Sequence, residues 1–207
     1  MFRRISVAVA ILLVSGTTAQ AEDEDYERTG PYIGAAGTWA IYTEADSSLQ
    51  DDDGLVSVDV EEPLGVNARA GYRIYPALAA ELQFEWLSKA NIKASGLNVA
   101  DLDSWIVTAN AKGYFLTRLM HDLGIARFQP FALLGLGVMQ SKIDSKLGGL
   151  DISNKDESFA LRLATGIDVY ITPNILGSLD FSYVIPTDRD LDGLDYVAVG
   201  WGLQYRF

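Results

Sequence analysis

The chain contains no cysteine and one histidine, and beyond its first 21 residues it has no apolar run near the roughly 18 residues that a membrane-spanning helix needs. Without cysteine, neither a disulfide nor a thiolate metal site can form. One histidine is too few for an imidazole metal site. Basic residues are also scarce, with 16 against 28 acidic ones. Because phosphate binding requires a basic surface, no nucleic-acid partner is expected.

The first 21 residues have the organisation of a cleavable secretory signal. Two arginines precede a ten-residue apolar run, and Ala19-Gln20-Ala21 supplies a small-residue cleavage site. Cleavage there leaves a mature chain that starts at Glu22 and has a net charge of −14, since the full chain carries −12 and loses two arginines. We expect residues 22–30 to form a short periplasmic segment and residues 31–207 to form one domain.

The last twelve residues alternate between large apolar side chains and small or polar ones. Counted back from the C-terminus, the large apolar positions are Phe207, Tyr205, Leu203, Trp201, Val199 and Val197. A period of two places them on one face of a strand, and about ten such residues span a bilayer. The pattern predicts a final transmembrane strand.

Seven earlier segments show the same alternation, which gives eight strands in all. They lie at about 32–43, 64–74, 77–87, 104–115, 128–139, 158–170 and 175–185. The connections between them are short near 75–76 and 171–174 and long near 44–63, 88–103, 140–157 and 186–195. Transmembrane barrels have short periplasmic turns and long external loops. The sequence therefore predicts an all-β fold, an eight-stranded antiparallel transmembrane β-barrel with up-and-down meander topology, in a Gram-negative outer membrane with both termini periplasmic.

Three segments leave alternatives open. The connection 116–127 is long for a periplasmic turn, so it either holds a helical turn or extends the neighbouring strands. Val56, Val58 and Val60 also alternate, so the second strand can reach above the membrane and a ten-stranded barrel stays an alternative. The segment 128–139 is apolar on both faces. We assign its odd-numbered residues, among them Gly135, to the interior and its even-numbered residues to lipid.

Nine charged residues fall on inward positions of the predicted strands. They are Arg69, Arg73, Lys112, Arg162 and Arg206 against Glu81, Glu85, Asp168 and Asp180. If the turn at Tyr75-Pro76 pairs two strands, Arg69 lies opposite or diagonal to Glu81. We interpret the set as a structural ion-pair network, because an unpaired buried charge is costly. The alternative is an ion-pair gate in a narrow channel for small solutes.

Acidic residues dominate two of the external loops. Residues 44–62 contain eight acidic side chains and no basic one, among them Asp51, Asp52 and Asp53. In the last loop, Asp188, Asp190 and Asp192 form a D-x-D-x-D-G sequence like the first half of a calcium loop. The twelfth position is Val199, so the usual bidentate glutamate is missing. We expect either a solvated loop or weak Ca²⁺ or Mg²⁺ binding that bridges to lipopolysaccharide phosphates, and no other cofactor.

Three stretches carry a family resemblance. Residues 32–35 (YIGA), 129–137 (QPFALLGLG) and 200–207 (GWGLQYRF) resemble the small outer-membrane β-barrel proteins of the porin-family or OmpA-like type. The resemblance implies an outer-membrane location and Phe207 as part of the assembly signal. The chain departs from the OmpA-type pattern because it stops at the barrel, so no peptidoglycan-binding domain is expected. We expect a monomer whose partners are outer-membrane lipid, lipopolysaccharide and, during biogenesis, the barrel-assembly machinery.

The expected function is non-enzymatic. An eight-stranded barrel is only wide enough for side chains to fill, so a general diffusion pore is not expected. Enzymatic barrels of this shape resemble one another in placing a histidine at the external end, whereas His121 falls in the connection predicted to be periplasmic. The prediction is a structural or surface-interaction role with acidic extracellular loops, and the alternative is the narrow channel gated by interior ion pairs.

Overall fold

A computed structural model describes residues 26–43, 58–60, 62–94, 97–145, 152–187 and 195–207, with side chains for 26–43, 62–88, 103–142, 157–187 and 195–207. The predicted signal peptide and the cleavage before Glu22 lie outside the described residues and stay predictions. Within those ranges the elements, in chain order, are β1 (Gly30–Tyr42), β2 (Val58–Val60), β3 (Leu64–Tyr75), β4 (Leu78–Ala94), β5 (Leu97–Tyr114), α1 (Thr117–Asp122), β6 (Phe128–Ser145), β7 (Ile152–Tyr170), β8 (Ile175–Pro186) and β9 (Tyr196–Arg206).

Eight of these strands form a closed antiparallel barrel. Each strand pairs with the next along the chain, and β1 closes the ring by pairing with β9 from Tyr32↔Arg206 to Tyr42↔Tyr196. This confirms the predicted eight-stranded meander. The short β2 lies outside the ring and pairs only with the far end of β4, from Val58↔Ala94 to Val60↔Ile92. The ten-stranded alternative is therefore wrong for the part of the chain that the structure describes.

The register fixes the stagger of the barrel. From Gly34 in β1, the pairing leads through β9 to Leu176 in β8. In the other direction it leads through β3, β4, β5, β6 and β7 to Pro186 in the same strand, ten residues away. A stagger of this size tilts the strands by roughly 35–45° and leaves an interior just wide enough for side chains.

The two ends of the barrel differ in their connections. At one end, the terminal end, lie the start of β1, the end of β9, the tight turn after Tyr75, the β5–β6 connection and the turn at 171–174. The β5–β6 connection contains α1, so of the two alternatives the helical turn is confirmed. The opposite end is called the loop end. Among the described residues, no helix is long and apolar enough to cross a membrane.

The predicted lengths of two connections at the loop end are wrong. The predicted connection 88–103 is mostly strand, because β4 continues to Ala94 and β5 begins at Leu97. The predicted connection 140–157 is shortened in the same way, since β6 continues to Ser145 and β7 begins at Ile152. In β6 and β7 the added segments 140–145 and 152–157 are mostly polar in sequence, so the alternation between apolar and polar residues ends there before the hydrogen-bonded ladder does.

The inward and outward faces follow the predicted alternation. In β6, where both faces are apolar, Leu134, Leu136 and Val138 are exposed on the outer wall and Leu133 and Met139 are buried inside. The outer wall is apolar and carries aromatic residues at both ends. Near the loop end these include Trp39, Trp86 and Trp105, and near the terminal end Tyr72, Tyr75, Phe115, Phe128, Tyr205 and Phe207. An apolar band between two aromatic girdles is the outer surface of a transmembrane barrel.

Candidate functional site

A layer of apolar side chains lies across the lumen near the loop end. This loop-end apolar layer consists of Ala40, Leu87, Ile106, Met139, Ala160, Val184, Tyr196 and Ala198, all buried and in mutual contact. Its members come from seven of the eight barrel strands. The remaining strand, β3, has Gly65 opposite Leu87, and a Cβ on that glycine would lie 2.8 Å from the leucine side chain. Contacting side chains from seven strands thus meet in the lumen at this level.

Below the layer, three ion pairs bridge strands that are not neighbours. The Arg162 guanidinium in β7 lies 3.0 Å from a Glu85 carboxylate oxygen in β4. Arg69 in β3 lies 3.2 Å from Asp180 in β8. In each of these two pairs the strands stand three places apart around the ring. The Tyr196 hydroxyl also donates to Glu85, at 2.7 Å. The charges thus connect distant parts of the wall across the lumen.

The third pair is the most enclosed. Lys112 Nζ lies 2.7 Å from Asp168 Oδ2, and the two side chains are 0% and 1% exposed. Asp168 also accepts hydrogen bonds from the Tyr114 hydroxyl at 3.1 Å and the Ser178 hydroxyl at 2.8 Å. The ammonium stands 3.8 Å from the centre of the Phe131 ring. A buried charge with this many partners has replaced its lost hydration.

The register confirms the predicted diagonal placement of Arg69 and Glu81, whereas the direct ion pair of Arg69 is with Asp180. The register places Arg69 opposite Gln83 and diagonal to Glu81. Its guanidinium nevertheless turns across the lumen and donates to Asp180, as well as to Asn67 at 3.0 Å. Glu81 instead accepts a hydrogen bond from the Tyr32 hydroxyl at 2.9 Å. Pairing of neighbouring strands does not reveal the contact of Arg69 with Asp180, because β8 lies three places from β3 around the ring.

A plug at the terminal end was not anticipated from the sequence. The backbone carbonyl of Tyr26 accepts hydrogen bonds from Arg206 at 2.8 Å, Arg73 at 3.1 Å and Gln129 at 3.1 Å. The Tyr26 ring is buried and lies 5.1 Å from the Tyr170 ring. Residues 26–29 therefore cross the opening and satisfy two arginines with neutral acceptors.

The middle of the lumen is polar. Within the described side chains, buried polar atoms that lack a protein hydrogen-bond partner include Glu81 Oε1, Gln83 Nε2, Thr108 Oγ1 and both side-chain polar atoms of Asn110. These residues face inward on β4 and β5, where Glu81 pairs with Asn110 and Gln83 with Thr108. Donors and acceptors grouped in this way suit a few buried water molecules enclosed between the loop-end apolar layer and the Tyr26 plug.

The remaining predicted residues lie elsewhere. Asp188, Asp190 and Asp192, like Asp51, Asp52 and Asp53, fall outside the described residues, so weak divalent-cation binding there stays a prediction. Across the ranges that the structure covers, no group of three or more potential metal ligands occurs. His121 lies exposed in α1 at the terminal end. Phe207 follows β9 directly, with its amide donating to the Pro31 carbonyl at 3.2 Å and its exposed ring 5.1 Å from that of Tyr205.

Comparisons with known proteins agree with this architecture. Outer membrane protein A from Shigella flexneri is 26% identical over 99% of this chain, and the Salmonella typhi protein is 27% identical over 99%. The chain spans 56% and 55% of the length of these two relatives. Neisserial surface protein A matches with a TM-score of 0.60 at 19% identity, covering 86% of this chain and 97% of that structure. OprG from Pseudomonas aeruginosa matches at 0.58 and 17%, covering 87% and 97%.

A family model decides the assignment. The model described as "Outer membrane protein beta-barrel domain" matches residues 7–207, a range that includes every strand of the closed barrel. The relatives named above carry the names of outer-membrane and surface proteins. The chain therefore belongs to the outer membrane protein β-barrel domain family and is an eight-stranded transmembrane barrel of the outer membrane.

Proposed function

We propose that this barrel is a non-enzymatic, non-conducting outer-membrane protein with a structural or surface-interaction role. The loop-end apolar layer carries the proposal. An ion that crosses this layer would have to lose its hydration shell among side chains from seven strands. Desolvating a charge is expensive. The Tyr26 plug adds a second closure at the other end.

The ion pairs support the same conclusion. Each of them joins strands two or three places apart around the ring. A gate would have to separate buried partners, and removing one partner from a buried pair typically costs about 3–5 kcal/mol. Such pairs are better suited to bracing the lumen than to opening it.

We also propose the orientation in which the terminal end faces the periplasm. Two of the three connections at that end are tight turns, after Tyr75 and at 171–174, and periplasmic turns are the short ones in such barrels. The acidic residues of 44–62 and 186–195 would then lie outside the cell. That charge favours contact with surroundings rich in divalent cations, such as lipopolysaccharide, and we expect the barrel to act as a monomer.

Conductance of the refolded protein in planar bilayers tests the proposal. We expect the wild-type protein to be silent. The double variant Ile106→Ser, Met139→Ser opens the loop-end apolar layer and should pass current more often than a matched control, Val107→Ser, Val138→Ser, which changes the outward neighbours. Steady openings of the wild-type protein would refute the sealed lumen. Equal silence of both variants would show that the layer is not the only seal, since the Tyr26 plug remains in both.

A further inference from the structure

The β5–β6 connection at the terminal end carries an apolar surface that the rest of the protein leaves uncovered. Leu119, Met120 and Leu123 have the three- and four-residue spacing that places side chains on one side of a helix, and Leu116, which precedes α1 in a left-handed conformation, is a fourth apolar residue of the connection. We call these four residues the α1 apolar face. No residue of α1 is buried, and Leu116, Leu119 and Leu123 are 50%, 47% and 61% exposed.

This surface is held in a fixed position. Within the connection, the amides of Met120 and Leu123 donate to the carbonyls of Leu116 and Leu119 at 2.9 and 3.0 Å. The far end is attached to the barrel through Arg127, whose carbonyl accepts from the Tyr170 amide at 2.9 Å. The Arg127 side chain donates to the Tyr26 hydroxyl at 3.2 Å. The apolar side chains are thus presented by an ordered segment.

The α1 apolar face continues the lipid-facing wall. Phe115 directly follows β5 and Phe128 begins β6, and both are exposed on the outer surface of the barrel. The segment between them therefore starts where the transmembrane wall ends. Its charge also differs from that of the chain, because 115–128 contains Arg118 and Arg127 against Asp122 in a protein of net charge −12. Apolar residues on one side and a basic residue on the other characterise helices that lie in a membrane interface.

We infer that residues 115–128 form an interfacial anchor on the phospholipid leaflet that faces the periplasm. The α1 apolar face lies at the boundary between headgroups and acyl chains, and Arg118 on the opposite side reaches lipid phosphates along its aliphatic stem. The inference rests on the proposed periplasmic orientation of the terminal end. It assigns this connection, which is longer than the other turns at that end, a role in holding the barrel at a fixed depth.

The absence of native cysteine makes the test direct. Single cysteines replace Leu119 on the α1 apolar face, His121 on the opposite side of the same helix, and Thr172 in the short turn at the same end. Each variant is labelled with an environment-sensitive fluorophore after refolding into phosphatidylethanolamine and phosphatidylglycerol vesicles. We expect blue-shifted emission at position 119 and strong quenching by lipids with a nitroxide near the headgroup. Positions 121 and 172 should show the emission of a water-exposed label.

Each outcome decides the inference. Equal emission and quenching at 119 and 121 would overturn it. Blue-shifted emission at position 119 in native outer-membrane fragments, but not in vesicles that contain only this protein and lipid, would indicate a protein partner. That result would also overturn the inference. The orientation is tested separately with an impermeant thiol reagent on intact cells that produce the Thr172→Cys variant. Labelling there would refute the orientation, whereas the vesicle result would still report on the interface.

Discussion

Replacing Lys112 with methionine is expected to lower the free energy of unfolding by about 3–5 kcal/mol. Methionine preserves much of the length and apolar contact of the side chain, so the loss isolates the ammonium. A hydrogen bond to a charged group contributes about 1.5–3 kcal/mol, and Lys112 Nζ lies 2.7 Å from Asp168. A desolvated cation over an aromatic ring adds about 2 kcal/mol, and the Phe131 ring centre is 3.8 Å away. The sum of the hydrogen bond and the cation–π contact falls within the expected loss of about 3–5 kcal/mol.

A double-mutant cycle with Asp168→Asn tests the reasoning. The double variant replaces both charges, so its loss should be smaller than the sum of the single losses by at least about 2 kcal/mol. Urea unfolding in vesicles, followed by tryptophan fluorescence and by the gel shift of the folded barrel, measures each value. The exposed pair Gln140 and Glu157, joined by a 2.7 Å hydrogen bond on the outer surface, serves as the control, with an expected coupling below about 1 kcal/mol. Additivity of the Lys112 and Asp168 variants within about 0.5 kcal/mol would refute the argument.

Three further predictions follow from the outer surface and the chain ends. Leu82→Arg places a charge on a lipid-facing side chain that is 60% exposed and should cost about 2–4 kcal/mol in the same unfolding assay; full tolerance would mean that β4 faces the other way. Burial alone would raise the pKa of Asp195, but hydrogen bonds from Thr43 and Tyr183 outweigh it and hold the pKa below its ordinary value of 3.8. Asp195→Asn should therefore lower the thermal midpoint at neutral pH, and the difference from wild type should disappear as the pH falls through that lowered pKa. Phe207→Asp should reduce the fraction of heat-modifiable barrel in outer-membrane preparations, and unchanged assembly would contradict its role as an anchor.

The strands and their faces could be predicted because lipid and lumen impose opposite chemistry on alternate residues. In β4, Leu82 and Phe84 face outward and Glu81, Gln83 and Glu85 face inward, as expected from a period of two. The strand ends at the loop end were predicted less well. In β6, residues 140–145 are mostly polar, so the alternation ends while the backbone ladder continues to Ser145. In β4 the alternation of Lys89, Asn91 and Lys93 with Ala90, Ile92 and Ala94 continues with the ladder to Ala94, so the pattern there was overlooked.

The contacts between side chains inside the lumen could also not be predicted from the sequence. Inward charge on Arg69 could be inferred, but its contact with Asp180 depends on the ten-residue stagger, which relates strands that are far apart along the chain. The Tyr26 plug was missed for a related reason. Its carbonyl acceptor belongs to the backbone, and a backbone group leaves no residue-type signature.

The ion pairs that cross the lumen have a mechanical consequence. The backbone hydrogen bonds of a barrel wall run around its circumference, so they resist stretching of the ring but resist flattening only weakly. The contacts of Arg162 with Glu85 and of Arg69 with Asp180 run across the interior between strands three places apart. They act as two cross-braces that keep the section round under the lateral pressure of the bilayer. We expect a variant that lacks both braces to keep its wall hydrogen bonds and to flatten more easily than the wild type.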